Sequence, residues 1–196
     1  MDAKSRREKV LDSLIDSADR ILRSGRKLTA AEVSSAAGIA RNSIYRYVDS
    51  VDDLRGLVLS RYLPAWEESI AKALEGVTDP IDRLVVWLET NLAQAKITGH
   101  SWFMNVSHTA KNSSATKDVA RFAHTVLWGE LSACWQQIVA DEADARRWSM
   151  VTLGLLQNAF MQVEREPDFE RLKHVVKTSG RAIALAAQRD QVTISK

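Results

Sequence analysis

Residues 41–47 read Arg41-Asn42-Ser43-Ile44-Tyr45-Arg46-Tyr47, a cluster of hydrogen-bond donors around one apolar side chain. Arginine can pair with guanine and asparagine with adenine, while hydroxyls anchor a nucleic-acid backbone. Arg6-Arg7 and Arg26-Lys27 are further basic clusters able to form a phosphate-facing stripe. The formal net charge of +2 falls in residues 1–60, with 11 Lys/Arg against 9 Asp/Glu, while residues 61–196 hold 16 of each. So small an excess does not prove a nucleic-acid partner, and the local clusters must carry that reading.

Other chemistries find less support. The 4 histidines form no compact metal-binding motif, and 1 cysteine cannot build a disulfide framework or a cysteine-based zinc site. A reducing, cytoplasmic setting is therefore expected. Cys134, beside Trp135 in an apolar helical context, is expected to be a buried thiol rather than a redox switch. No cofactor loop or ordered nucleophile–base–acid set is recoverable, so neither enzyme activity nor a cofactor is expected. The longest strongly apolar run, Leu84–Leu88, is far short of the roughly 20 residues of a membrane span, and the first residues have no signal-peptide character. An aromatic set (Trp66, Trp87, Trp102, Phe103, Phe122, Trp128, Trp135, Trp148 and Phe160) could line an apolar cavity or simply pack helices together.

The elements that would position these groups read as helical throughout. Val10, Leu11, Leu14, Ile15, Ala18, Ile21 and Leu22 recur at helical spacing and predict a helix near 6–23, ended by Gly25. Thr29-Ala30-Ala31-Glu32 is a capping box that starts a short helix, Gly38 breaks it, and a third follows at about 41–47. Ser50-Val51-Asp52-Asp53 opens a longer helix that Pro64 is expected to bend rather than end. Asp79-Pro80 starts a helix of about 80–98, stopped by Gly99, and a short aromatic helix at 101–109 follows. Lys111–Ser114 reads as a loop before helices at about 115–139, 143–164 and 168–189. The fold class is thus all-α: an N-terminal three-helix, helix-turn-helix domain over 1–50 and a larger helical domain over 51–196.

Val33, Ala37, Ile39 and Ile44 can hold two short helices together across the Gly38 turn, the arrangement that places a recognition helix in the major groove. Taken alone, the pattern also fits any helical hairpin with a glycine turn. Ala37-Gly38-Ile39, Ser43-Ile44-Tyr45 and Asp52-Asp53-Leu54 give this segment, over about residues 6–60, a close resemblance to the DNA-binding domain of TetR-family bacterial transcription regulators. The resemblance implies double-stranded operator DNA as partner. Arg41 and Asn42 become base-reading candidates and Tyr45 the phosphate-contacting tyrosine, with Ser43, Arg46, Tyr47, Arg6 and Arg7 at or near DNA. Four positions depart from the family pattern: Ala40 for a capping serine, Asn42 for glycine, Val48 for phenylalanine, and Val51 for a lysine near phosphate. Arg55, Arg46, Arg6 and Arg7 are the electrostatic replacements available for that lysine.

The same resemblance implies a ligand-responsive repressor that works as a homodimer. Its effector would be small and mostly apolar, held by Trp87, Trp102, Phe103, Phe122 and Trp128 with Asn105, His108 and His124 as polar partners. An anionic effector would draw on Arg121 or a protonated histidine, and Trp66 would couple the pocket to the DNA-binding region. Leu153, Leu156, Phe160 and Val163, with Leu172, Val175, Val176, Ser179, Ile183 and Ala186, form stripes on the last two helices suited to a four-helix dimer interface or to internal packing. The alternative function is a non-enzymatic helical protein-interaction module.

Overall fold

The computed structural model describes residues 3–109, 117, 120, 121 and 124–194. Among them no strand occurs, and no helix is long and apolar enough to cross a membrane. The chain divides into two compact units: residues 1–63 with 102–121, and residues 64–101 with 122–196.

In the first unit, α1 (Ala3–Arg23) places Leu14, Ile15, Ala18 and Ile21 on one buried face. Gly25 follows at φ 73°, a left-handed conformation that lets the chain leave the helix. α2 (Ala30–Ala36) is capped by Thr29, whose hydroxyl oxygen accepts from the Glu32 amide at 3.2 Å. After the Gly38 turn (φ 69°) comes a six-residue 3-10 helix, Arg41–Arg46, instead of the expected α-helix. Two causes are visible: Ala40 offers no side-chain cap, and Asn42, Ser43, Ile44 and Tyr45 are weak helix formers. α3 (Val51–Ser60) is capped by Ser50, whose Oγ accepts from the Asp53 amide at 2.9 Å. Ile44, Val48, Leu54 and Val58 complete a core with α1 and Val33 of α2. Val48, where the resembled family has phenylalanine, is buried in this core.

The helix expected to bend at Pro64 is broken. α3 ends at Ser60 and α4 (Leu63–Leu74) restarts after Arg61 and Tyr62. Proline has no N–H for the Ser60 carbonyl and its ring crowds that carbonyl, so Pro64 is tolerated only in the first turn of a new helix.

The second unit is built on α5 (Pro80–Thr98), whose start is capped by Asp79 accepting from the Asp82 amide at 2.8 Å. α6 (His100–Thr109) changes unit after Ser101. A π-helical turn at His124–Trp128 runs into α7 (Gly129–Ile138), followed by α8 (Glu142–Gln162) and α9 (Phe169–Ile194). Trp87, Leu88 and Leu92 of α5 pack with Leu131 and Trp135 of α7, Leu156 and Phe160 of α8, and Val176 and Ala184 of α9. Gly180 allows the closest approach: a Cβ there would lie 2.3 Å from Leu88 Cδ1. The stripes assigned from sequence thus face mainly inward, since Leu156, Phe160, Val163 and Val176 are buried in this core and Leu153, Leu172 and Ile183 pack against it. The Lys111–Ser114 loop lies outside the described residues.

Candidate nucleic-acid interface

The 3-10 segment presents its donors outward because its one apolar residue, Ile44, is fully buried. Arg41, Asn42, Tyr45 and Arg46 are exposed, Tyr45 by 56%, while Ser43 and Tyr47 are half-buried. A large aromatic side chain more than half exposed gains little from packing, whereas its hydroxyl is free to meet phosphate. Tyr47, expected at or near DNA, has two environments. Its ring packs on the core, and it also lines a surface notch of about 500 Å³ together with Arg6, Arg7 and Arg46.

The departure at Val51 acquires a physical meaning here. Val51, at the position of the family lysine, packs against the core of this unit. Arg55 does not stand in for that lysine. Its guanidinium pairs with Asp52 and reaches the Leu28 carbonyl at 3.5 Å, leaving the side chain only 15% exposed. Arg41 and Arg46 lie on the recognition segment itself, and Arg6 and Arg7 share the notch with Arg46.

Elsewhere in this unit Arg23 stacks over the Trp102 ring at 4.0 Å and the Tyr62 ring at 5.1 Å. Tyr62 meets Trp102 edge-on at 5.5 Å and donates its hydroxyl to Asp19 at 2.7 Å. Burial, then the contact with Asp19, raises the Tyr62 pKa against the opposing effect of Arg23, so the phenol stays a donor. Trp102, expected in an effector pocket, is thus part of a cation–π cluster with α1.

The remaining anticipated effector residues are divided between the two units. Phe103, Asn105 and His108 fall in the first unit, the latter two exposed. Trp87 and Trp128 fall in the second, Trp87 fully buried in its core with an indole N–H that finds no acceptor among the described residues. Phe122 lies outside the described residues, and only the backbone of His124 is described. An open cleft of about 940 Å³ in the second unit is lined by Ile70, Leu74, Arg83, Val126 and Glu130 among others, and by none of the six anticipated residues whose side chains are described.

A polar network in the second unit was not read from the sequence. Asn91, fully buried, accepts from Trp66 Nε1 at 2.9 Å and donates to the Trp87 carbonyl at 2.8 Å. Trp66 also meets Phe160 edge-on at 6.4 Å, and His100 lies 4.6 Å from the same ring. Burial lowers the His100 pKa against the neighbouring Glu164. Glu164 is itself held below the usual carboxylate range by hydrogen bonding from Ser101, whose amide donates at 2.8 Å. The available signal was a polar residue four positions after Trp87, on the face that also carries Leu88, Leu92 and Ala95.

α8 and α9 also carry an outward apolar surface: Met150, Val151 and Met161 on the first, Val175 and Leu185 on the second. Among the described residues no group of three or more His, Cys, Asp or Glu side chains could hold a metal ion.

No family model matches the chain. An uncharacterised HTH-type transcriptional regulator of Mycobacterium tuberculosis is 30% identical over 93 residues, 46% of this chain and 46% of that protein. The chain therefore matches about half the length of this curated relative. Among solved structures, a transcriptional regulator from Pseudomonas aeruginosa PAO1 superposes with a TM-score of 0.72 at 12% identity, covering 97% of this chain and 96% of that one. A TetR-family regulator from Streptomyces coelicolor gives 0.66 at 13% identity, with 94% and 96% covered. AibR, solved with isovaleryl coenzyme A and operator DNA, gives 0.64 at 13% identity, with 86% and 96% covered. The chain has the fold of the TetR-family transcriptional regulators.

Proposed function

We propose that this chain, folded as TetR-family regulators are, is a sequence-specific DNA-binding transcription regulator. The observation that carries the reading is the 3-10 segment: Ile44 is locked into the core, and Arg41, Asn42, Tyr45 and Arg46 stand outside it. Arg41 and Asn42 read base edges from the start of the segment, and Ser43 and Tyr45 contact phosphate. The protein acts as a repressor and a homodimer, with the exposed apolar surface of α8 and α9 as the face that a second copy covers. These exposed apolar side chains support dimerisation because they gain by being removed from water. Its site of action is the cytoplasm, where operator DNA is reached, and it is not an enzyme.

Effector control is the finer part of the proposal. AibR was solved with both isovaleryl coenzyme A and operator DNA, which supports a small-molecule effector for a chain of the same fold, there a polyanionic thioester with a short apolar acyl group. The effector works only if it binds the DNA-competent and DNA-incompetent arrangements with different affinity. Selection of duplexes from a random-sequence library with the full chain tests the core of the proposal. Enrichment of one motif, repeated with two-fold symmetry, is the expected result. A protein-interaction module would enrich no motif.

A further inference from the structure

We propose that the notch formed by Arg6, Arg7, Arg46 and Tyr47 clamps one backbone phosphate of the bound duplex. The inference rests on the reading of the chain as DNA-binding and adds a site to it. Arg6 and Arg7 come from the start of α1, whereas Arg46 and Tyr47 come from the end of the recognition segment. The two sources are tied by Arg7 Nη2 donating to the Arg46 carbonyl at 3.5 Å. A guanidinium has five donors, so this bond leaves Arg7 most of its capacity for an anion.

Three guanidiniums therefore converge on one space of about 500 Å³, and among the described residues none is ion-paired to a carboxylate. Like charges brought together repel, and an anion between them reverses the sign of that energy. Arginine forks match phosphate oxygens two at a time, and the Tyr47 hydroxyl adds a fourth donor group. The position favours backbone over base. A recognition helix meets base edges with its first residues, here Arg41 and Asn42, so its last residues lie where the chain leaves the groove and meets the backbone. Duplex phosphate is favoured over free phosphate because the notch continues the exposed donor strip of Tyr45 and Arg46. Val51 and Arg55, both turned inward, offer no competing contact at the start of α3.

The test compares wild type, Arg6→Gln/Arg7→Gln and the exposed-surface control Arg146→Gln on a duplex enriched by wild type and on a scrambled duplex, across a salt series. Loss of one phosphate contact flattens the slope of log affinity against log salt by about 0.9 per notch, so by about 1.8 for a dimer on two half-sites. The preference for enriched over scrambled duplex should stay as in wild type, Arg146→Gln should keep the wild-type slope, and thermal melting should show both variants folded. An unchanged slope in the double variant, or an equal flattening by Arg146→Gln, overturns the clamp while leaving DNA recognition intact. Saturable binding of inorganic phosphate by wild type without DNA, lost in the double variant, assigns the notch to a free anion and overturns it as well. Failure of wild type to prefer any duplex removes the reading beneath it.

Discussion

Replacing Asn91 by leucine should destabilise the second unit through a group it strands, not through lost volume. Asn91 is fully buried and uses both ends of its amide, accepting from Trp66 at 2.9 Å and donating to the Trp87 carbonyl at 2.8 Å. The Trp87 carbonyl keeps its helical partner in the substitution, since the backbone N–H of residue 91 remains. The Trp66 indole N–H loses the Asn91 acceptor. Losing a hydrogen-bond partner costs up to about 1–3 kcal/mol when the donor is buried and less on a half-buried ring such as Trp66, whereas leucine is close in size and gains apolar burial, so a net loss of about 1 kcal/mol is expected. Trp66→Phe should also destabilise, because it strands the Asn91 carbonyl oxygen. The double variant strands neither group. Its loss should therefore fall short of the sum of the single losses by about 1–3 kcal/mol. Urea denaturation followed by far-UV circular dichroism measures this without depending on tryptophan emission. Additivity within about 0.5 kcal/mol would refute the argument, because independent sites add to that precision.

At the DNA surface, Arg41→Ala should change preference at one operator base by about 1–3 kcal/mol, while Tyr45→Phe weakens binding evenly across sequences. Single-base operator variants separate the two, and even weakening by Arg41→Ala would reassign that residue to the backbone. Cys134 is buried and its thiol is pushed up to about 11, chiefly by burial and secondarily by Glu130. Its thiolate is therefore scarce at pH 8, and a thiol reagent should label the protein only after urea is added. Rapid stoichiometric labelling of the native protein would contradict that burial. Val151→Glu combined with Leu185→Glu places charges on the outward faces of α8 and α9, where both residues are exposed. Sedimentation should show a wild-type dimer and a folded monomeric variant, and an unchanged dimer would move the interface elsewhere.

The helices were legible because their signals are local. Thr29, Ser50 and Asp79 cap where sequence places them, and Leu14, Ile15, Ala18 and Ile21 face inward at helical spacing. The break before Pro64 was missed because the apolar spacing of Tyr62, Trp66 and Ile70 runs on across it, hiding a steric rule that acts on one carbonyl. Leu156, Phe160, Val163 and Val176 illustrate a different limit. Periodicity identifies a buried stripe but not which partner buries it, and here α5 and the neighbouring helices do so within one chain. The donors around Ile44 were legible for the converse reason, since one apolar residue among polar ones fixes which way all of them face. Arg55 was not, because its contact with the Leu28 carbonyl joins groups 27 residues apart, although its pairing with Asp52 is a local i,i+3 one.

The most direct test of the account is the affinity of the intact protein for its selected duplex and for the same duplex scrambled, measured by competition at one salt concentration. Phosphate attraction acts equally on both, so only base reading and duplex shape can separate them. The account predicts a preference of at least about 10³-fold for the selected duplex, reduced by Arg41→Ala. Equal affinity for the two duplexes would contradict sequence-specific recognition, however tightly either one is bound.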